Sequence, residues 1–422
     1  MAQLSDDCFA FSGPLLRLDD MEALIGERVA PVVGSERVPL SAARSRVTAR
    51  DVIAPADLPP FDNSAVDGYA VRHADLKPDG DSRLAIAGRL TAGARAAPAI
   101  KPGQAVRIFT GAAMPEGADT VFMQEDVTVE GGRVIVPPGL KRGANRRLAG
   151  EDVAQGRVVL PAGTVLEAQH VALAAALGIT ELEVRRRLKV AIFSTGDEVV
   201  EPGAARAGTA IYDANRYLLR ELLDRLGAAV TDVGILPDEP QALARALAEA
   251  AGHDLIVTSG GVSTGEADHV RTAVERVGSL VFWRVAIKPG RPVAMGVIRA
   301  ADGHSAAFVG LPGNPVAVFV TFVRVVKPLL RRLAGAAPQT LMALPVRAAF
   351  AYKKKKDRRE YVRVALRRAA DGEIEAVKHP QDGAGILTSL TETDGLLEFP
   401  EDVTAIEPGA RVGFLSYAAL TS

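Results

Sequence analysis

Three runs of aliphatic residues in this chain of 422 residues each lead into a loop that contains glycine. The clearest run is 255–257, Leu-Ile-Val, which is typical of a strand covered on both faces. Three such strands predict a parallel sheet whose loops meet at its carboxyl edge, where open α/β folds bind ligands. In chain order the loops are Ser194–Glu198, Ser259–Asp268 and Leu311–Pro315.

The second of these loops has the features of an anion site. Gly260 and Gly261 carry no Cβ, so their backbone N–H groups can approach a ligand closely. Ser263 and Glu266 have the spacing of a capping box, which predicts that a helix begins at Ser263, and a helix N-terminus favours negative charge. Asp268 adds a carboxylate near the first turn, where a metal ion could join it to a phosphate.

A segment between the second and third loops supplies positive charge. Lys288 and Arg291 lie within 286–292, on a backbone stiffened by Pro289 and Pro292. An ammonium group and a guanidinium group in one turn suit a tetrahedral oxyanion. The other interpretation is a solvated turn, because proline and glycine are common in turns.

The composition argues against several classes of protein. The formal net charge is −1, so no overall field draws the chain to nucleic acid or to a membrane. Cys8 is the only cysteine and the histidines show no ligand spacing, which argues against a disulfide and a zinc site. The N-terminus lacks a signal-peptide core, and apolar stretches such as Val316–Val323 are too short to span a bilayer. We therefore expect a cytoplasmic protein.

Changes of residue pattern along the chain predict four domains. Helical spacing of apolar residues predicts helices near both ends of a discontinuous domain, and short alternating strands cut by glycine and proline predict a β-rich insertion. Alternating strands and helices then predict a doubly wound parallel α/β domain, and a return to short strands predicts a small barrel or sandwich. The predicted domains are 1–50 with 150–186 (helical), 51–149 (β-rich), 187–335 (α/β) and 336–422 (C-terminal β).

Seven short motifs, in this order, resemble those of one enzyme family. They are Pro60–Val71, Phe109–Ala112, Gly150–Asp152, Ser194–Glu198, Ser259–Asp268, Ile287–Pro292 and Leu311–Pro315. The set spans nearly the whole chain and resembles the molybdopterin molybdenumtransferases, molybdenum-insertion enzymes that are similar to the E domain of gephyrin. Each motif alone is weak evidence, but their ordered combination is specific.

The resemblance implies an Mg²⁺-dependent enzyme that uses molybdate and adenylylated molybdopterin and releases AMP with the molybdenum cofactor. It implies a C-terminal β barrel and an elongated homodimer in which the inserted domain reaches the partner's active site. It also implies partners for substrate delivery and product transfer, namely a molybdopterin adenylyltransferase and the recipient molybdoenzymes.

The resemblance also implies the site residues. The catalytic set is Asp67, Thr110, Asp152, Glu198, Asp268, Lys288, Arg291 and Arg363. The substrate-binding set is Thr195, Gly196, Asp197, Ser259, Gly260, Gly261, Ser263, Gly265, Pro312, Gly313, Asn314 and Pro315. The expected Mg²⁺ ligands are Glu198, Asp238 and Asp268, since loops after successive strands bring hard oxygen ligands together.

These assignments have simpler alternatives. The acids could cap helix starts, Asp67 and Thr110 could stabilise turns, and Arg363 could be an ordinary arginine on a strand surface. The basic run 353–356 could be a solvated loop, or it could steer a multiply anionic substrate towards Arg363.

Two positions depart from the family pattern. Arg291 stands where the family often has lysine, which keeps the charge and changes its geometry. Ala384 stands where the family often has serine, so a backbone N–H or the nearby Ser389 would have to replace the lost hydroxyl.

Two other functions were weighed against molybdenum insertion. A molybdopterin adenylyltransferase needs only one α/β domain, whereas this chain adds β domains and a discontinuous helical part. A non-catalytic, gephyrin-like scaffold would need a partner-binding surface beyond the pocket, and the chain has no long linker or appended interaction segment.

Overall fold

The computed structural model describes residues 4–5, 8–10, 15–94, 99–261 and 269–422. The chain forms two compact units, of which the second is made of Asp51–Pro161 and Ala168–Leu182. The first unit is made of Met1–Arg50, Ala162–Glu167 and Glu183–Ser422. The boundaries of the four predicted domains remain a prediction.

A six-stranded sheet forms the centre of the first unit. The three strands predicted from aliphatic runs are adjacent and parallel, with Val257 opposite both Ile192 and Val309. In spatial order the strands are Ala229–Leu236, Lys189–Thr195, Leu255–Ser259, Ser305–Leu311, Pro292–Arg299 and Gly278–Arg284.

Helices cover both faces of this sheet. Leu219 and Leu223 belong to the cluster that includes Ile192, whereas Leu243 and Leu247 belong to the cluster on the other face. The described helices of the first unit as a whole are Leu18–Arg28, Asn215–Arg225, Pro240–Ala250, His269–Val277, Pro315–Thr321, Lys327–Leu333 and, among the strands of the C-terminal region, Thr388–Thr391 and Tyr417–Thr421. A π-helical segment Phe322–Val326 joins the fifth to the sixth. The doubly wound arrangement is confirmed.

The sheet is mixed rather than wholly parallel. The strands Gly278–Arg284 and Pro292–Arg299 form an antiparallel addition beside the parallel strands. Only 300–304 separates the second of them from Ser305–Leu311. Because a parallel crossover needs about a dozen residues or more, so short a connection permits only a hairpin.

The end of the chain forms a closed five-stranded barrel, as expected. The ten-residue strand Arg359–Arg368 closes it by pairing through its first half with one neighbour and through its second half with another. In order around the barrel the strands are Arg359–Arg368, Ile374–Lys378, Leu344–Ala348, Arg411–Ser416 and Gly395–Phe399.

A two-residue strand joins the α/β part of the first unit to the barrel. Ile287–Lys288 runs parallel to the start of the first barrel strand, with Ile287 opposite Arg359 and Lys288 opposite Glu360. Backbone hydrogen bonds therefore hold the predicted cationic segment against the barrel.

The second unit is β-rich, as the sequence predicts. Its six-stranded sheet buries small and β-branched residues such as Ala70, Val106 and Val134. In order the strands are Thr120–Met123, Gly68–Val71, Gln104–Ile108, Ser82–Leu90, Arg133–Val136 and Thr128–Glu130. The helix Ala168–Ala176 also belongs to this unit, together with the short strand pairs Val52–Ile53 with Val158–Leu160 and Asn63–Ser64 with Arg146–Arg147.

Within the described ranges, no helix combines the length and the apolar character that crossing a membrane requires.

Candidate functional site

The three strands that lead into the predicted loops end at the same edge of the central sheet. Ser259, at the end of its strand, is opposite Ser194 on one side and Leu311 on the other. The N–H of Gly260 donates a hydrogen bond to the carbonyl oxygen of Leu311 at 3.2 Å. The structure thus brings Thr195, Ser259 and Pro312 to the same side of the sheet.

Two glycines are required by the close approach of these loops. Gly260 has φ of +93°, and a Cβ at this position would lie 2.4 Å from the carbonyl oxygen of Thr195. Gly261 has φ of +62°, and its Cβ would lie 2.8 Å from Cγ2 of Thr195. Side chains at these two positions would therefore push the second loop away from the end of strand Lys189–Thr195.

Asn215 links two of the loops, and the sequence analysis did not identify it. Its Nδ2 donates to Oγ of Ser259 at 2.8 Å and to the carbonyl oxygen of Gly313 at 2.7 Å. Since a carbonyl can only accept, the second bond fixes which way the amide faces. Asn215 thereby holds the second and third loops together.

A buried charge cluster fixes the helix that carries Asn215. The neighbouring Arg216 is 4% exposed and binds the carboxylates of Asp213, Asp232 and Glu201. Burial alone would lower the pKa of Arg216, but the bonds to Asp232 and Asp213 raise it well above its ordinary value. The side chain of Asp213 also accepts the N–H of Arg216, and an aspartate two residues before the asparagine was the signal that could have marked this helix start.

Two of the expected Mg²⁺ ligands lie beside the end of strand Lys189–Thr195. Oγ1 of Thr195 donates to Oδ1 of Asp238 at 3.5 Å, and the carboxylate of Glu198 lies against Gly196. Asp197 and Glu198 are exposed. Among described residues, no group of three or more His, Cys, Asp or Glu side chains is placed to hold a metal ion. Two carboxylates still fit Mg²⁺, which takes its remaining ligands from phosphate and water.

Three predicted residues of the second loop, Ser263, Gly265 and Asp268, lie outside the described residues, so their contribution stays a prediction.

A cavity of about 350 Å³ lies between the cationic segment, the third loop and the first barrel strand. Its wall includes Lys288, Pro289, Gly290, Pro292, Pro312, Asn314, Ala317, Tyr352, Glu360, Tyr361, Val362, Arg363, Asp382 and Ala384. The structure therefore brings Lys288, Arg363 and the third loop together. Arg291 is exposed and is not among the lining residues.

Arg363 is a buried cation that faces this cavity. It is 5% exposed, which rules out an ordinary surface arginine. Its Nε donates to Oγ of Ser389 at 3.1 Å, and Nη2 donates to the carbonyl oxygens of Gln381 and Gly383 at 3.1 and 3.2 Å. Burial lowers its pKa, and the charge of Asp382 in the wall of the same cavity offsets only part of this. No described carboxylate lies within ion-pair distance of Arg363, and a buried guanidinium without a direct ion pair favours an anion.

Glu360 holds Lys288 at the wall of the cavity. Its carboxylate is 1% exposed, and Oε2 accepts Nζ of Lys288 at 3.2 Å and the hydroxyl of Tyr352 at 2.8 Å. Burial alone would raise the pKa of Glu360, but the bonds from Tyr352 and Lys288 leave it below its ordinary value. The carboxylate is therefore charged near neutral pH, and Lys288 has a fixed position.

The backbone of Ala384 is hydrogen-bonded to the segment that follows the third loop. The carbonyl oxygen of Ala384 accepts the N–H of Val316 at 3.0 Å, at the start of the helix after the third loop. The hydroxyl of Ser389 donates to the carbonyl oxygen of Ile386 at 2.6 Å and accepts from Arg363. Ser389 therefore orients the arginine, and its replacement of the missing serine stays a prediction.

Three further predicted residues belong to the second unit. Oδ1 of Asp67 accepts the N–H of Thr110 at 2.8 Å and its hydroxyl at 2.7 Å. These bonds, helped by the charge of Arg107, lower the pKa of Asp67. Asp152 is exposed, and its N–H donates to the carbonyl oxygen of Leu58 at 3.0 Å. The structure brings Asp67 and Thr110 together, and their role in the site stays a prediction.

Three protein families match successive parts of the chain. Residues 16–178 match the MoeA N-terminal region (domain I and II), and 345–417 match the MoeA C-terminal region (domain IV). Between them, 191–332 match the family described as a probable molybdopterin binding domain. This central match covers the sheet edge with the three loops and the segment with Lys288.

Curated relatives and solved structures agree with these matches. A molybdopterin molybdenumtransferase from Haemophilus influenzae is 43% identical over 76% of this chain and 78% of its own length. One from a Nostoc species is 40% identical over 72% of this chain and 70% of its own length. Among solved structures, the crystal structure of a molybdopterin biosynthesis moeA protein from Pyrococcus horikoshii has 30% sequence identity with this chain. The match covers 96% of this chain and 100% of that one, with a TM-score of 0.78. The chain therefore belongs to the molybdopterin molybdenumtransferase family.

Proposed function

We propose that this protein transfers molybdenum from molybdate to adenylylated molybdopterin, with release of AMP. The observation that carries the proposal is the buried guanidinium of Arg363, which forms no direct ion pair with a described carboxylate and lines the same cavity as Lys288 and the third loop. A guanidinium fork and an ammonium group together suit a tetrahedral dianion. Relatives named for the same transfer support this assignment of the cavity to the oxyanion.

The loop edge of the sheet is proposed to bind the phosphate-bearing part of the pterin substrate. Gly196 and Gly261 carry no Cβ over the backbone there, whereas the N–H of Gly260 is used in the bond to Leu311, and Asn215 holds the loops in place. Ser259 and the segment Pro312–Pro315 complete this surface, with Thr195 and Asp197 at its side. Backbone donors of this kind suit anionic oxygens.

The proposed enzyme uses Mg²⁺, which would neutralise negative charge on the phosphoanhydride as AMP leaves. Glu198 and Asp238 are the described residues that would hold it, with Asp268 as the third. Their carboxylates give the hard oxygen ligands that this ion prefers.

Asp67, Thr110 and Asp152 are proposed as further catalytic residues. The two hydrogen bonds from Thr110 hold Asp67 ionised and oriented. An Asp67→Ala variant should lose activity while the protein keeps its thermal stability, and rates of AMP release together with the midpoint of thermal unfolding would measure this.

We also propose a cytoplasmic homodimer that receives its substrate from a molybdopterin adenylyltransferase and passes its product to molybdoenzymes. Native mass spectrometry tests the dimer, and a pure monomer at micromolar concentration would contradict it. The formal net charge of −1 gives no support for a nucleic-acid partner.

The alternatives make different predictions. An adenylyltransferase would consume ATP and would not need the barrel wall that supplies Arg363. A scaffold of the gephyrin kind would not need a buried arginine without a direct ion pair, since such a group destabilises the fold.

The decisive experiment combines purified protein, adenylylated molybdopterin and Mg²⁺, with and without molybdate. Molybdate-dependent AMP release is expected. AMP release that ignores molybdate, or ATP-dependent consumption of molybdopterin, would contradict the proposal. Removal of Mg²⁺ by chelation should abolish turnover, and its restoration should recover it.

A further inference from the structure

The loop Lys353–Arg358 carries four lysines and one arginine against a single carboxylate, Asp357. Both ends of this loop are bonded to the cavity wall. The hydroxyl of Tyr352, the residue before the loop, donates to Oε2 of Glu360 at 2.8 Å, and Nε of Arg358 donates to Oε1 at 2.7 Å. The basic loop is thus attached to the carboxylate that also holds Lys288.

Backbone and side-chain bonds give the loop a fixed shape. Nζ of Lys354 donates to the carbonyl oxygen of Arg358 at 2.7 Å and to that of Glu401 at 3.3 Å. The N–H of Lys354 donates to Thr404 at 2.8 Å, and that of Asp357 donates to Glu401 at 3.0 Å. Asp357 has φ of +65°, a left-handed turn that aspartate tolerates better than most residues. Lys354 and Arg358 therefore serve the structure of the loop.

No hydrogen bond that shapes the loop is described for the side chains of the other three cations. Lys353, Lys355 and Lys356 are exposed, and none forms an ion pair with a residue of the described ranges. Since the whole chain has a formal net charge of −1, this positive charge is local to the loop, which is bonded to the cavity wall through Glu360 and packs on its other side against Glu401. A charged loop next to a cleft raises the local concentration of an oppositely charged ligand.

We propose that the loop Lys353–Arg358 captures the multiply anionic small-molecule substrate and directs it to the cavity. This inference rests on the proposed function, because a phosphoanhydride-linked substrate carries several negative charges. Capture of this kind speeds the association of the substrate with the enzyme and does not change the bound complex. It therefore raises kcat/KM at low ionic strength and leaves kcat unchanged.

The test compares two triple variants that lose the same charge. One is Lys353→Gln, Lys355→Gln and Lys356→Gln. The matched control is Arg220→Gln, Arg225→Gln and Arg245→Gln, on exposed faces of the helices Asn215–Arg225 and Pro240–Ala250. At about 20 mM ionic strength the loop variant should lose roughly tenfold in kcat/KM for the pterin substrate, and at about 0.5 M the loss should shrink below about twofold because salt screens the field.

Several results would overturn the inference. The first is a fall in kcat of the loop variant, and the second is an equal loss of kcat/KM in the control variant. The third is a loss of kcat/KM that persists at high salt, and the fourth is a loss of kcat/KM that appears only when an adenylyltransferase delivers the substrate. The last result would point to an acidic protein surface as the ligand of the loop.

A second measurement separates this inference from the proposed function. Binding of inorganic pyrophosphate to wild type and to both variants can be followed by calorimetry without turnover. The inference is supported if only the loop variant binds pyrophosphate more weakly than wild type and with a smaller dependence on salt. This holds even if molybdate-dependent AMP release is absent. Equal affinity in all three proteins overturns it even if that activity is present.

Discussion

The loop edge of the central sheet and the wall of the cavity offer an anion two different kinds of contact. At the loop edge the proposed contacts come from backbone groups of the loops, where Gly196 and Gly261 carry no Cβ. At the cavity wall they come from the side chains of Arg363 and Lys288, held by carbonyl oxygens, by Ser389 and by Glu360. Backbone donors are fixed by the fold itself, whereas each side-chain cation depends on partners that position it.

This difference predicts how the two regions respond to substitution. A new side chain at Gly260 or Gly261 should disturb folding and binding together, since its Cβ would collide with Thr195. Loss of a cation at the cavity wall should impair oxyanion use far more than folding. The following predictions test that contrast, from the largest expected effect to the smallest.

Arg363→Lys should reduce molybdate-dependent AMP release by about 10²-fold or more, because it removes the fork that stabilises a developing oxyanion. Arg367→Lys, on the same strand and 61% exposed, is the matched control and should keep its activity. Steady-state rates of AMP release measure the activity of both variants, and thermal unfolding shows whether both are folded. Full activity of the Arg363 variant would remove the main support for an oxyanion site.

Lys288→Ala should raise the molybdate concentration needed for half-maximal turnover by roughly tenfold or more, since a charge-assisted bond contributes about 1.5–3 kcal/mol. The KM for the pterin substrate should change less, because Lys288 belongs to the cavity wall and not to the loops. Titrations of both substrates measure this. An unaltered molybdate dependence would place Lys288 outside the site.

Gly260→Ala should destabilise the protein by about 1–3 kcal/mol, because a left-handed residue would meet the carbonyl of Thr195. Gly252→Ala is its control, since a Cβ there meets nothing within 4 Å. Urea unfolding and substrate titration should show reduced stability and weaker pterin binding in the first variant only. Wild-type stability with weak binding would mean that the loop edge also responds like the cavity wall.

Glu360→Gln should flatten the loss of stability in acid. The folded-state pKa of Glu360 lies below its ordinary value of 4.5, so its ionised form stabilises the native state above that value. This contribution is lost as the pH falls from about 4.5 through the lower folded-state pKa. Midpoints of thermal unfolding between about pH 7 and pH 3.5 should therefore decline less in the variant, and parallel declines would contradict the assignment.

The sequence predicts the loop edge better than the cavity wall, for a physical reason. Aliphatic runs followed by glycine are local signals, and they placed the three adjacent strands correctly. The antiparallel strands beside them were missed, although a connection of five residues before Ser305 already excluded a crossover.

The cavity wall depends on contacts between distant segments. Arg363 was identified only through the resemblance, because nothing in a β-strand pattern says that an arginine will be buried. Glu360 and Asn215 were not identified, since their importance comes from partners 72 residues away (Lys288) and 98 residues away (Gly313). Such pairs leave no trace in local spacing.

The short pairing of Ile287–Lys288 with the start of the barrel strand limits how the protein can be divided into fragments. A fragment cut in the connection after Leu333 would contain every glycine loop, yet the strand Ile287–Lys288 would lose the backbone partners Arg359 and Glu360. The isolated barrel would in turn keep Arg363 but lack Lys288. The cavity thus has no separable half, and recombination between relatives would have to exchange the cationic segment and the barrel as one inherited block.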